Sequence, residues 1–203
     1  PLPMFHVFAI YPILMSMIAS GGHVVFPTPA GYRGDGVFDN FWKLVERWKI
    51  TYMITVPTAL SALMQRPIDA DVSSLRGAFA GSAPLPLELY KRFEKATGVQ
   101  IIEGYGLTEN TAAACITRPD DIVFGTIGQP FPGTEVKIAE DGEVLLRGDG
   151  IMDGYHNNPD ATAEVKDAEG WFHTGDLARV DEDGYYFLTG RKKNVIILGS
   201  GES

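Results

Sequence analysis

Residues 75–105, LRGAFAGSAPLPLELYKRFEKATGVQIIEGY, decide how this chain folds. Small and apolar residues from Leu75 to Ala80 read as a short buried strand, and Gly81-Ser82-Ala83-Pro84 opens a turn. Pro86 suits the first turn of a helix whose inward face is Leu89, Tyr90 and Phe93, and Gly98 after Lys95 marks its end. The strand Val99-Gln100-Ile101-Ile102 follows, so the unit is strand, helix, strand. Working back, Phe38, Phe41, Trp42, Val45 and Trp48 recur at helical spacing and feed the β-branched and aromatic run Thr51–Val56. Pro57 ends that strand, and Ala59–Met64 resumes helical composition up to Pro67. Such alternation predicts an α/β fold with a parallel, helix-covered sheet.

Forward of Pro119 the helical period fades. Asp141-Gly142 and Asp183-Gly184 each separate two runs of strand composition, 135–138 from 143–146 and 177–180 from 185–188, which predicts two hairpins. One short helix is expected between them, opening at Asn158-Pro159 and carrying Ala161 to Val165. The expected division is an α/β subdomain over 1–118, a smaller β-rich, distorted barrel-like subdomain over 119–190, and a terminal stretch, 191–203.

Composition narrows the function classes. With 203 residues, 45% hydrophobic and 21% charged, the chain can bury one large core or two small ones. Seventeen basic residues against 26 acidic leave a net charge of −9 without any basic run, which argues against a nucleic-acid groove. One cysteine, Cys115, rules out an internal disulfide and zinc sets that need several thiolates; it reads as a packed thiol, and the cytoplasm is the expected compartment. Val7–Ala19 is almost wholly apolar, but it is shorter than the ~20 residues of a spanning helix, and Pro12 interrupts it. A buried helix followed by a strand at His23–Phe26 is expected instead. Asp181-Glu182-Asp183-Gly184 lacks calcium-loop spacing and reads as a hairpin turn.

Gly104-Tyr105-Gly106-Leu107-Thr108-Glu109 is the most informative string, because it directly follows a predicted buried strand. Ligands bind open parallel sheets in the crevice beyond the carboxyl ends of the strands. Its glycines permit a sharp turn and close approach. Its aromatic face, hydroxyl and carboxylate suit a purine, a phosphate oxygen and a magnesium ion. Alone, the string reads better as a strand-to-helix turn with a surface glutamate, since a bare Gly-x-Gly lacks the third glycine of the dinucleotide fingerprint. It is joined, in order, by Phe79–Pro86, by Gly170-Trp171-Phe172-His173-Thr174-Gly175-Asp176, and by Thr189-Gly190-Arg191-Lys192-Lys193. Together these resemble the adenylate-forming superfamily of acyl-CoA synthetases, aryl-acid ligases, luciferases and peptide-synthetase adenylation domains. Met4-Phe5-His6, and Gly154-Tyr155 with Pro159 and Thr162, look most like fatty or related acyl-CoA synthetases.

That resemblance implies ATP-dependent conversion of a carboxylic acid to an acyl-adenylate and its transfer to coenzyme A, with ATP/AMP, Mg2+ and coenzyme A as cofactors or co-substrates. It implies that Gly81, Ser82, Ala83 and Pro84 flank the adenine and that Tyr105, between Gly104 and Gly106, lies against the ring. Thr108 would bond the α-phosphate and Glu109 would hold the magnesium. Asp176 would accept the ribose hydroxyls and Arg191 would reach the ribose or phosphate, whereas their bland readings are a turn aspartate and a solvated arginine. His6, Phe8 and Ala9 would face the acyl group, and Lys193 matches the hinge of a carboxyl-terminal domain. Asn194 departs from the acidic residue often found there. The superfamily's phosphate loop and lysine-bearing domain have no counterpart in these residues, so an internal, inactive segment prone to self-association is expected. An aryl-acid or carrier-loading ligase and a non-catalytic nucleotide-binding module are the alternatives; a dehydrogenase fits less well for want of the dinucleotide fingerprint.

Overall fold

The computed structural model describes residue 4 and residues 6–194. Its first layer is a sheet of five strands in the order β1 (Tyr52–Thr55), β2 (Gly77–Gly81), β3 (Ile101–Tyr105), β4 (Cys115–Ile116), β5 (Gln129–Pro130). β1, β2 and β3 run parallel, while β4 and β5 add on antiparallel, so the sheet is mixed. Crossovers between the parallel strands carry α3 (Pro57–Met64) and α4 (Leu87–Thr97), preceded by α2 (Val37–Trp48). Pro57 occupies the first turn of α3, where its missing N–H costs nothing, rather than merely ending the strand. Gly98 stops α4 in the left-handed conformation. Val37, Phe41, Trp42 and Val45 of α2 join Leu60, Leu63, Tyr90, Phe93 and Ile101 in one core between helices and sheet. Trp48 leaves that core; it is 48% exposed and meets the edge of the His23 ring.

The second layer is an antiparallel sheet ordered β6 (Thr134–Ile138), β7 (Glu143–Gly148), β8 (Phe172–Val180), β9 (Tyr186–Arg191). Both expected hairpins are present, each turned by a glycine at positive φ, Gly142 and Gly184. Asp181 closes the second turn by accepting the Asp183 and Tyr185 N–H groups on its side chain, so this acidic run is a turn. α5 (Pro159–Val165) begins where Asn158 caps it by accepting the Ala161 N–H. The sheets meet through Tyr105 and Cys115 on the first and Val144, Leu146, Phe172 and Ala178 on the second. Burial pushes the Cys115 thiol up to about 12, so it is a packed, unreactive group.

Two expectations near the amino-terminal end are corrected. The apolar run forms a π-helical stretch, Ala9–Met15, around Pro12, then a single α-helical turn, α1 (Ser16–Ala19). Pro12 has no N–H to continue an i→i−4 ladder, and the wider turn accommodates it. This helix is half-covered, not buried: Phe8, Ala9 and Ile13 pack inward, whereas Tyr11, Met15 and Ile18 are exposed. His23–Phe26 is not a strand, since no described strand pairs with it, and β-branched residues without a ladder partner have nothing to extend along. No described helix is long and apolar enough to cross a membrane.

Candidate functional site

At the carboxyl ends of β2 and β3 the two sheets leave a cleft of about 610 Å3, within the range of small-ligand sites. Ser82, Ala83 and Pro84 form one rim as the chain leaves β2, while Gly104, Tyr105 and Gly106 form the floor at the end of β3. Asp176 and Arg191 close the opposite wall from β8 and β9. A second cavity of about 240 Å3 adjoins it, sharing Ser82, Gly104, Gly106 and Leu107. Thr108, Glu109, Gly81, His6 and Phe8 line this second space. Of the residues the resemblance assigns to the nucleotide, Ser82, Tyr105, Asp176 and Arg191 therefore border the larger cleft, and Glu109 stands in its annex. Ala9 is fully buried beneath and lines neither cavity. Lys193, the expected hinge residue, lies in the exposed 3-10 turn Lys192–Asn194, and residues 195–203 of the terminal stretch lie outside the described residues, as does Phe5.

The wall is an ordered ionic assembly. Asp176, only 6% exposed, accepts the Tyr105 hydroxyl at 2.7 Å on Oδ2 and the Arg191 Nε–H at 2.6 Å on Oδ1. Burial, reinforced by the Asp176 charge, raises the Tyr105 pKa, so the phenol stays a donor. The hydrogen bond and charge of Asp176 raise the Arg191 pKa. A carboxylate has about four lone-pair positions, so Asp176 retains acceptor capacity beyond these two bonds. Tyr105 is thus fixed by its hydroxyl, leaving its ring as a rigid surface at the cleft floor. Beside it, Glu103 accepts the Leu85 N–H, which tethers the rim loop, and burial raises its pKa. Glu103 was not among the expected site residues; its position immediately before Gly104 is the signal that could have marked it. Residues 125–127 and Leu188 also border the cleft, and nothing in their local composition announces this, whereas Thr189 and Gly190 belong to the string that leads to Arg191.

The glycines serve a purpose other than a left-handed turn, since neither Gly104 nor Gly106 has positive φ. A Cβ on Gly104 would sit 2.4 Å from the Phe79 ring, and one on Gly106 would sit 2.3 Å from the Ala112 carbonyl. They make room for the protein's own close packing. Downstream, Leu107 N–H donates to Asn110 Oδ1 and closes the 3-10 turn Thr108–Asn110, which presents Thr108 and Glu109 outward. Glu109 accepts the Tyr155 hydroxyl at 3.0 Å. Among the described residues no group of three or more histidine, cysteine or carboxylate side chains could cage a metal. A lone carboxylate at a cavity edge still fits a magnesium ion whose remaining ligands are phosphates and water.

A mixed α/β sheet joined to an antiparallel half-barrel, with a buried carboxylate, an arginine and an anchored tyrosine in the crevice between them, defines a nucleotide-binding class of enzyme domain. The chain belongs to the AMP-binding enzyme family, which matches residues 1–156. It is 33% identical to the marinolic acid–CoA ligase of Pseudoalteromonas sp. (strain SANK 73390), over 98% of this chain and 33% of that protein. Among solved structures it is similar to the anthranilate CoA ligase AuaEII in complex with anthranoyl-AMP, with TM-score 0.84, 32% identity, and coverage of 97% of this chain and 39% of that one. It is also similar to ATP-bound MatB from Rhodopseudomonas palustris, with TM-score 0.86, 28% identity, and coverage of 97% and 40%. The chain spans about a third to two-fifths of the length of the curated relatives it matches over nearly its whole extent.

Proposed function

We propose that this chain supplies the adenosine-binding cleft and part of the acyl pocket of an acid:CoA ligase. That enzyme activates a fatty or related carboxylic acid with ATP as the acyl-adenylate and passes the acyl group to coenzyme A. The observation that carries the reading is Asp176: a nearly buried carboxylate, held by Tyr105 and Arg191, at the wall of a nucleotide-sized cleft. Its remaining lone pairs accept the ribose hydroxyls, the Tyr105 ring supports the adenine, and the 81–84 loop flanks it. Glu103 at the rim provides an acceptor for an exocyclic amine. Thr108 donates to the α-phosphate, and Arg191 offsets phosphate charge from the opposite wall. Glu109 is the residue to hold a magnesium ion, which, when bound, neutralises charge on the departing pyrophosphate.

In the first step the acid's carboxylate oxygen attacks the α-phosphorus and pyrophosphate leaves; in the second the coenzyme A thiol attacks the acyl carbon and AMP leaves. The carboxylate is ionised at neutral pH, so the first step needs alignment and cations rather than a general base. His6 and Phe8 hold the acyl side, in the smaller cavity. An aryl acid is the second reading, favoured by the wall that the Phe8 and Phe79 rings, 5.7 Å apart, set across that cavity. The two functional units are an α/β one over 1–118 and a β-rich one over 119–190, the latter returning β5 to the edge of the first sheet, with Lys193 as the hinge. A single packed thiol suits a reducing, cytoplasmic compartment.

Calorimetric titration with AMP and a non-hydrolysable acyl-adenylate analogue tests this. AMP should bind, the acyl part should add affinity, and Asp176→Ala should weaken AMP by at least about ten- to hundredfold, the magnitude for losing even one of its charge-assisted hydrogen bonds to the ribose. Equal AMP affinity in that variant overturns the reading. Pyrophosphate exchange by the chain alone should stay at background, since Arg191 is the one permanent cation among the described residues lining either cavity.

A further inference from the structure

The register of β7 against β8 is broken where the nucleotide wall is built. Glu143 pairs with Leu177 and Leu145 with His173, so three residues, Thr174, Gly175 and Asp176, stand opposite the single Val144. A bulge re-aims the side chain it carries and leaves backbone groups without ladder partners. Here those groups are taken up individually. The Thr174 hydroxyl donates to the Val144 carbonyl, and the Asp176 N–H donates to Thr174 Oγ1. The Gly175 N–H donates to Glu143 Oε1 at 2.8 Å.

Glu143 is only 3% exposed, an unusual place for a carboxylate, and both of its oxygens are engaged. Its other oxygen accepts Lys192 Nζ at 2.8 Å and faces His173 Nδ1 at 3.0 Å. Lys192 also reaches Asp141, and His173 Nε2 lies 3.7 Å from Asp167. Gly175 precedes Asp176 and Lys192 follows Arg191. One buried carboxylate therefore grips the residue next to each member of the Asp176–Arg191 pair. Burial alone would raise the Glu143 pKa, but the Lys192, His173 and Gly175 bonds outweigh it and hold it below its usual value.

We infer that Glu143 is a positioning residue for ribose recognition: it pins the β8 bulge through Gly175, is itself held by Lys192 at the end of β9, and so aims Asp176 into the cleft. This rests on the adenosine-binding reading above. The readout is a ratio, the affinity for AMP over that for 2′,3′-dideoxy-AMP, which isolates the ribose hydroxyls. The wild-type chain should favour AMP. Glu143→Ala should collapse that preference by about tenfold, the change expected when one ordering hydrogen bond is lost, while affinity for the dideoxy nucleotide moves little. Glu143→Gln, which preserves shape and one acceptor oxygen, should lose about threefold and keeps the test alive if the alanine variant does not fold. A ratio unchanged in Glu143→Gln, or both nucleotides weakened alike in either variant, overturns the positioning role while leaving the adenosine reading intact. A wild-type chain that binds both nucleotides equally overturns ribose recognition itself, and the inference with it.

Discussion

Replacing Gly106 by alanine should destabilise the chain for a steric reason that can be separated from backbone strain. The added Cβ would lie 2.3 Å from both the carbonyl carbon and oxygen of Ala112 and 2.6 Å from the Ala113 nitrogen. All three are backbone atoms, so no rotamer change relieves the overlap; the loop after β3 must move bodily. Forced repacking of this kind costs about 1–3 kcal/mol. For a domain of this length that corresponds to a melting temperature lower by roughly 2–12 °C. Gly190→Ala is the control. Nothing lies within 4 Å of its Cβ position, and its φ is not positive. Alanine there should leave stability unchanged or raise it by up to about 1 kcal/mol through the unfolded state. Thermal unfolding followed by circular dichroism at fixed scan rate reads both. Equal melting temperatures for the two variants would refute the claim that Gly106 is required by close approach of Ala112.

Tyr105→Phe removes the hydroxyl that donates to Asp176 and should cost about 1–2 kcal/mol by urea unfolding, with Arg191 left as that carboxylate's remaining partner. Glu143 carries a pH signature. Its folded pKa is depressed below 4.5, so its contribution is complete above that pH and is lost as pH falls through the depressed value. The stability gap between wild type and Glu143→Gln should therefore be widest near neutrality and shrink below pH 4.5 in urea melts; a gap constant down to strongly acid pH contradicts this. Asn158→Ala, which deletes the cap on the Ala161 N–H, should lower stability by about 1 kcal/mol, checked in the same melts.

The elements readable in advance are those whose signals are local. α2 and α4 announce themselves by apolar spacing, α4 ends at a glycine that needs positive φ, and both hairpins turn on Asp-Gly pairs. β4 and β5, two residues each, exist only because β3 offers an edge, and no short window carries that information. β8 begins at Phe172, earlier than its composition indicates, because Thr174-Gly175-Asp176 reads as loop and is in fact a bulge inside a strand. His23–Phe26 fails in the opposite way: it has strand composition but no described partner. For the candidate site, the resemblance picks out the contiguous string 104–109, Asp176 and Arg191, all of which border the two adjoining cavities. The roles of Glu103 and Glu143 depend on contacts across 18 and 32 residues, to Leu85 and Gly175, that spacing does not encode.

The most direct test of an adenosine site between the two sheets is residue-resolved: backbone amide chemical shifts of the chain titrated with AMP. The largest changes should fall at 82–83, 103–107, 176 and 189–191, four separate stretches that meet only in the folded cleft. Changes concentrated instead around the apolar groove lined by Ile13, Val24, Trp48 and Tyr52, or spread evenly over the surface, would contradict it.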